Sequence, residues 1–411
     1  MKYVPVEEMF LWWLADPAQP VLIGALRRVT PSAAGPGGVS FRYDDAWLTH
    51  PQAMALSEDL PLVKDTFMPA DKDEAPGAID DARPDRWGER VIRRLDNPAR
   101  LGALEYLYFA GDDRFGALGV SLSAQAYAPR IISPLPRLDD IELVRDIAAR
   151  IESGEPIEER LKRLIAPGVS MGGARPKALV LIDGQEWVVK FSEKGDDVDV
   201  PLIEHATMTL ASKAGIDVCE TRPIPLSVGH AVAVRRFDRE GDRRLHALSA
   251  RCALRAAGQA FGYPELALLL RRRGDAMAIE RNGEQVFRRM LFNILMDNTD
   301  DHEKNHALLA RGHDLVLAPA YDVLPTGQAL GYQAMRVGVD AHASSVANAL
   351  SEPRAFAMKP QRAREIGGEL AQVVSQWQQH FRACGVSEPD IESLARQIDG
   401  PVLLGERALL G

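Results

Sequence analysis

The strongest constraint on what this 411-residue chain can fold into is the change of pattern around residue 296. Before it, Phe287, Met290, Leu291, Ile294 and Leu295 recur at i, i+3 and i+4, which places them on one buried face of a helix. After it runs a polar stretch without glycine, Asn298-Thr299-Asp300-Asp301-His302-Glu303-Lys304-Asn305-His306. It ends one element and begins the next, so it reads as a loop. His306–Leu309 and Leu315–Ala318 are short apolar runs on either side of Arg311-Gly312-His313-Asp314, the pattern of a hairpin. Tyr321-Asp322 follows. The fold must therefore present a loop of acids and amides at the end of a buried helix, then deliver a second acidic position after a hairpin.

Asp300 and Asn305 stand at the D-x-x-x-x-N spacing of a protein-kinase catalytic loop, in which the Asp accepts the proton of the substrate hydroxyl and the Asn holds a Mg²⁺. Helix, loop, hairpin and Asp also come in the order in which kinases present their base and two metal ligands. The spacing alone is a weak signal, because polar loops with two Asp and an Asn are common. The flanking order gives it weight.

Composition narrows the alternatives. With 46% hydrophobic and 26% charged residues the chain is ordinary for a globular protein, and its length suits two or three domains. No apolar run reaches the length of a membrane span, and Met1-Lys2-Tyr3-Val4-Pro5 lacks the apolar core of a signal peptide, so a cytoplasmic protein with no membrane association is expected. Three cysteines, Cys219, Cys252 and Cys384, suggest neither a disulfide framework nor a zinc site. A net charge of -9 argues against a chain that coats nucleic acid by itself.

Residues up to about 127 read as a compact domain of short strands, at Phe10–Leu14, Val21–Val29 and Val39–Leu48. Pro84 is expected to open a helix running into Val91–Leu95, and Gly111–Gly119 to turn from a helix into a strand. Three prolines in Ala128–Pro136 mark a connector, followed by a helix from about Asp139 to Ser153. Next comes a Gly-rich loop, Pro167 to Lys177, entering the apolar run Ala178–Ile182; Asp183-Gly184 is a hairpin signal and Glu186–Phe191 the returning strand. Glycines let backbone N–H groups approach phosphate oxygens, and Lys190 stands where a kinase lysine reaches them, although an ordinary hairpin and a solvated lysine fit the same residues. Glu204, on a helix from Ile203 to Ala214, is either the ion-pair partner of Lys190 or a carboxylate favoured by the helix dipole. Ala231–Phe237 is a strand whose end, Arg235-Arg236-Phe237, falls where kinases pass the adenine; beyond Arg239 the pattern turns helical, with long helices at Tyr263–Arg273 and Ala363–Phe381.

With its motifs in this order the chain resembles the HipA family, bacterial serine/threonine kinases that act as toxins of type II toxin–antitoxin pairs. The resemblance rests on Phe41-Arg42-Tyr43-Asp44, Leu56 to Leu62, Pro84-Asp85-Arg86-Trp87-Gly88, Ser170 to Lys177, Val234 to Arg239, Asn298 to Asn305 and Tyr321-Asp322. It implies Asp300 as catalytic base, Asn305 and Asp322 as Mg²⁺ ligands, and Lys190 as the phosphate-binding lysine. It further implies that Gly172, Gly173, Ala174, Arg175 and Lys177 cover the phosphates of ATP, and that Arg235, Arg236, Phe237 and Tyr321 belong to the nucleotide site. His302 either steadies the transferring phosphoryl group or hydrogen-bonds the loop, with Lys304 as the alternative cation. Ser170 matches a serine whose autophosphorylation expels the loop in family members. The implied partners are a small helix-turn-helix antitoxin, HipB-like, through which DNA is met, and a protein substrate such as an aminoacyl-tRNA synthetase or another translation component. Arg235, where an acidic or neutral residue is expected, and the stiffening Arg175-Pro176 depart from the family pattern.

The expected architecture is α+β: a strand-rich N-terminal domain over 1–130, then a two-lobed protein-kinase-like core with a small lobe over 131–240 and a mostly helical large lobe over 241–411. Phosphoryl transfer from Mg-ATP to a serine or threonine is the expected reaction. A small-molecule kinase on the same fold and a non-catalytic co-repressor scaffold are the alternatives.

Overall fold

Alternation of large apolar residues with polar ones builds the N-terminal sheet. The computed structural model describes residues 3–33, 35–130, 134–165 and 173–411. It divides into two compact units, Met1–Lys194 with Arg235–Leu248, and Gly195–Val234 with Ser249–Gly411. In the first unit, β1 (Glu8–Trp13), β2 (Val21–Val29), β3 (Gly38–Tyr43), β4 (Thr66–Phe67) and β5 (Leu118–Ser121) form an antiparallel sheet in the order β4-β3-β2-β1-β5. Leu11, Leu26, Phe41 and Val120 are buried, and the helix Ala103–Phe109 packs on the sheet with Leu104 and Leu107. Each such side chain contributes about 1.5–3 kcal/mol by leaving water.

Several local expectations change. The strand expected over Val39–Leu48 stops at Tyr43, because the Asp44 side chain accepts from the Ala46 N–H at 2.9 Å and caps a short helix, Asp45–Leu48. Pro84 does not open its helix, which runs Arg86–Leu95 with Asp85 as N-cap. The Pro-rich connector is part of the same unit: Pro136 accepts from the Leu181 N–H at 2.8 Å, laying the connector along β6 (Lys177–Ile182). β6 and β7 (Gln185–Lys190) pair in register through the expected turn, where Asp183 and Gly184 both take positive φ, 52° and 74°.

The return segment Arg235–Leu248 is tied to the first unit by a buried ionic network. Arg236, 6% exposed, donates to Asp238 at 2.9 and 2.7 Å, to Glu186 at 2.8 Å and to the carbonyls of Asp113 and Arg114 at 3.1 and 2.9 Å. Asp238 also accepts from Arg239 at 3.0 Å and from the Gly116 N–H at 2.8 Å. This capture ends the strand expected over Ala231–Phe237 at Arg235, since Arg236 turns inward. The helical pattern expected beyond Arg239 begins only at Ala250, after a small hairpin pairing Arg239–Glu240 with Arg243–Arg244 across Gly241 at φ 56°.

The second unit is mostly helical. Its first helix, Val200–Lys213, is capped by Asp199, whose side chain accepts from the Leu202 N–H, and ends before Gly215 at φ 76°. β8 (Thr221–Pro225) and β9 (His230–Arg235) form a hairpin. The expected apolar stripe lies on a helix, Ile279–Leu295, that buries Phe287, Met290, Leu291, Ile294 and Leu295 against the helices Tyr263–Arg273 and Pro360–Val374. Gly283 is required within it, because a Cβ there would lie 2.1 Å from the Phe356 carbonyl oxygen. The helix expected over Ala363–Phe381 is two, Pro360–Val374 and Trp377–Ala383. Ser375 ends the first by donating to the Gln372 carbonyl, and the turn aims the Trp377 indole N–H at the Asp399 carboxylate. Among the described residues, no helix is long and apolar enough to cross a membrane.

Burial works against the charge on Asp238, but Arg236, Arg239 and the Gly116 N–H outweigh it and hold its carboxyl well below the usual carboxylate range. Asp238→Asn should therefore cost about 3–5 kcal/mol at pH 7, read from urea denaturation. The gap between wild type and variant should hold constant down to about pH 4 and shrink below it, as Asp238 of the unfolded wild-type chain takes up a proton that the folded chain resists.

Candidate active site

In the first unit the residues expected to meet phosphate gather at one end of the β6–β7 hairpin. Lys177 and Lys190 face each other across the strands, are 5% and 9% exposed, and so bring two cationic side chains to one face. Gly173 has φ 97°, which L side chains rarely adopt, and a Cβ on it would lie 2.6 Å from Lys177 Nζ. The ammonium thus packs against the glycine backbone, next to exposed Ala174 and half-buried Arg175. Gly172 and Ser170 lie outside the described residues.

The N-terminal motif Pro84-Asp85-Arg86-Trp87 holds this end of the Gly-rich loop. Trp87 Nε1 donates to the Lys177 carbonyl at 2.8 Å, the Trp87 N–H donates to the Gly173 carbonyl at 3.2 Å, and Asp85 accepts from the Gly173 N–H at 3.2 Å. Of the residues expected at the adenine, Arg235 is exposed, Arg236 is committed to the network above, and Phe237 meets Phe115 edge to face at 6.0 Å.

In the second unit, three anchors shape the polar loop. At its start Asp297, at φ 55°, accepts from the Thr326 N–H and hydroxyl with its carbonyl and from the Ala329 N–H with its carboxylate at 3.0 Å; burial raises its carboxyl pKa. In the middle Asp301 is buried and accepts from Tyr263 Oη at 2.5 Å and His306 Nε2 at 2.8 Å. Towards its end His302 takes the Lys304 N–H on Nδ1 at 3.2 Å and the Asn305 N–H on its carbonyl at 2.9 Å, so its ring and backbone shape the loop directly. Asp300, between the first two anchors, is exposed.

Asp322 is brought to this loop by its neighbour. Tyr321 Oη donates to the Lys304 carbonyl at 2.8 Å, which joins the residue before Asp322 to the residue before Asn305. The strand leading there is fixed by buried Arg289, which donates to the Ala318 carbonyl at 2.7 Å, and by Cys219 and Asp217, which exchange backbone bonds with Ala320. Burial lowers the Arg289 pKa to about 10. Asp322 itself sits at φ 58°, a strained conformation for a residue with a side chain and one that clusters at functional sites. Glu204 is buried in the Val200–Lys213 helix, 2% exposed.

An amide oxygen at Asn305 and a carboxylate at Asp322 are hard donors of the kind Mg²⁺ takes, and this ion commonly uses only one or two protein ligands. The described residues hold no cluster of three His, Cys, Asp or Glu that would suit zinc or another closed protein-only site. The donor set therefore fits Mg²⁺.

Comparison with known proteins gives the family. The profile of the HipA N-terminal domain matches residues 19–121, and that of the HipA-like C-terminal domain matches residues 169–377, half of the chain. The chain belongs to the HipA family. Across 97% of its own length and 97% of the other's, this HipA-family chain has the fold of Shewanella oneidensis MR-1 HipA, solved with HipB and its operator DNA, at a TM-score of 0.66 and 18% identity. It is 26% identical over 317 residues to "Putative kinase Y4mE" of Sinorhizobium fredii, covering 71% of this chain and 73% of that one. A second protein of that organism, "Putative kinase Y4dM", is 31% identical over 163 residues, 35% of this chain and 38% of its own. The HipA-family fold is kinase-like and α+β with a strand-rich N-terminal region, as the sequence led one to expect.

Tyr263, Asp297 and His306 hold the loop and Arg289 the segment leading to Asp322, yet the sequence marks none of them as a site residue. Trp87→Ala should destabilise the chain by about 3–5 kcal/mol, whereas Trp87→Phe, which keeps the packing and loses only the bond to Lys177, should cost about 1–2 kcal/mol. A Trp87→Phe variant as stable as wild type in urea denaturation would mean that the indole N–H contributes nothing.

Proposed function

We propose that this HipA-family chain is an ATP- and Mg²⁺-dependent serine/threonine protein kinase, the toxin of a toxin–antitoxin pair, acting in the cytoplasm. The observation that carries the reading is the Tyr321–Lys304 bond, which ties the segment before Asp322 to the loop that carries Asn305 and exposed Asp300. Asp300 accepts the proton of the attacking hydroxyl, a role open to a solvent-reachable carboxylate. Asn305 and Asp322 hold the Mg²⁺, which when bound neutralises charge on the phosphates. Lys190, Lys177 and the Gly172–Arg175 loop receive the phosphates. Tyr321 lines the nucleotide site, and Arg235 and Phe237 border the adenine. His302 shapes the loop and Lys304 supplies a cation. The functional division is the N-terminal domain over 1–130, the small lobe over 131–240 and the large lobe over 241–411. The partner is a small helix-turn-helix antitoxin, in keeping with the S. oneidensis HipA solved with HipB and operator DNA.

Asp300→Asn should lower phosphate incorporation into protein by about 10²–10⁴-fold while ATP affinity, measured by calorimetry, is kept. A wild-type rate would remove Asp300 from its role. Self-inhibition acts through Ser170, where a phosphoserine adds about -1.5 to -2 charges to the loop that receives ATP. Ser170→Asp should thus bind ATP more weakly than Ser170→Ala, and purified wild-type chain incubated with Mg-ATP should carry phosphate on Ser170 by mass spectrometry. An unmodified Ser170 in a chain that phosphorylates other proteins would end that part of the proposal.

A further inference from the structure

Two acids stand side by side in the loop, and only one of them can reach a substrate. Asp300 is exposed, while Asp301 is 1% exposed with its Oδ2 taken by two donors, so it cannot meet a hydroxyl in solvent. Its partners come from separate elements: Tyr263 from the first turn of the Tyr263–Arg273 helix, His306 from the residue before the strand Ala307–Arg311. The two rings meet edge to face at 5.6 Å. Behind them Asn293, on the Ile279–Leu295 helix, donates to Tyr263 Oη at 3.5 Å and accepts from the Asn298 side chain at 3.1 Å, and Asn298 also donates its backbone N–H to the Asn293 carbonyl at 2.9 Å. The His306 carbonyl accepts from the Ala250 N–H at 2.8 Å, which fixes the far side.

A carboxylate is an expensive way to fill an interior position, since an apolar side chain of similar size is as stable or more so where no geometry has to be specified. Burial opposes the charge here, yet His306 and the Tyr263 hydroxyl outweigh it, and the carboxyl pKa is lowered. An ionised group held by two directional bonds defines its own position closely, and the residue before it inherits that definition through the backbone.

We propose that Asp301, clamped by Tyr263 and His306, is a positioning residue for Asp300, fixing where the base meets the substrate hydroxyl. The inference rests on the phosphoryl-transfer reading above and adds to it the residues that hold the base. Asp301 takes no proton from the substrate; it keeps the loop from rotating Asp300 away. Misplacing a reacting group by about 1 Å can cost about 10²-fold in rate. Because the clamp lies beneath the loop, it bears on kcat rather than on nucleotide binding.

The test uses the full chain with a protein substrate, comparing wild type, Tyr263→Phe and Asp301→Ala, with hydrogen exchange of the peptide spanning 297–306 as a readout independent of activity. Tyr263→Phe keeps the ring and removes one bond; kcat should fall about tenfold, with KM for ATP within about twofold and melting temperature lower by only a few degrees. Asp301→Ala should lose about 10²-fold in kcat, and in both variants the 297–306 peptide should exchange faster. Should Asp301→Ala fold poorly, Tyr263→Phe decides alone. An active wild type with unchanged kcat in Tyr263→Phe, or a loss of kcat matched by an equal rise in KM for ATP, would overturn the inference and leave the kinase reading standing. A wild type that transfers phosphate to no protein would remove that reading, and the inference with it, even if the loop loosened as expected.

Discussion

Keeping the Asp301 carboxylate ionised in the interior is the constraint on which the polar loop depends. Removing a carboxylate from water carries a penalty of several kcal/mol, which only well-aimed donors offset. Those donors, Tyr263 and His306, come from two elements that must both be in place before the loop can settle. The loop is therefore not a flexible connector that happens to carry acids. Its shape is set from beneath by groups that never reach the surface, and the exposed residues take their positions from it.

Arginine does comparable work wherever the backbone leaves regular structure. Arg114, fully buried, donates to the carbonyls of Ala82, Leu107 and Gly111; Arg236 to those of Asp113 and Arg114; Arg289 to that of Ala318. Carbonyls outside helices and sheets need donors once buried, and a guanidinium offers five from one side chain. The irregular segments 111–117 and 318–320 are ordered in this way, and the second of them leads to Asp322.

Periodic parts of the chain were legible because their signal is local. The stripe from Phe287 to Leu295, the hairpin turn at Asp183-Gly184 and the sequence of helix, loop and hairpin before Asp322 all follow from spacing that a window of residues contains. What was not legible depended on partners far along the chain. Nothing near Asp301 says that Tyr263, thirty-eight residues earlier, will bury it. Arg236 reads as the end of a strand until Asp113 and Glu186 are known to surround it. Asp44 and Ser375 misled for a different reason: each sits in a run with the right apolar period, and a single side-chain bond to the backbone stops the element there.

The first unit is not contiguous: Arg235–Leu248 belongs to it although forty residues of the second unit, Gly195–Val234, intervene. On the ribosome, the N-terminal sheet can pair as soon as β5 has emerged, but the acids Glu186 and Asp113 wait for Arg236, which lies 50 and 123 residues downstream. Loop closures of that length are slow and come late. The β6–β7 hairpin with its two lysines is thus completed on its outer side only after the first helix of the second unit has been made. An insertion or pause site between 195 and 234 would bear on the maturation of a unit to which none of those residues belongs.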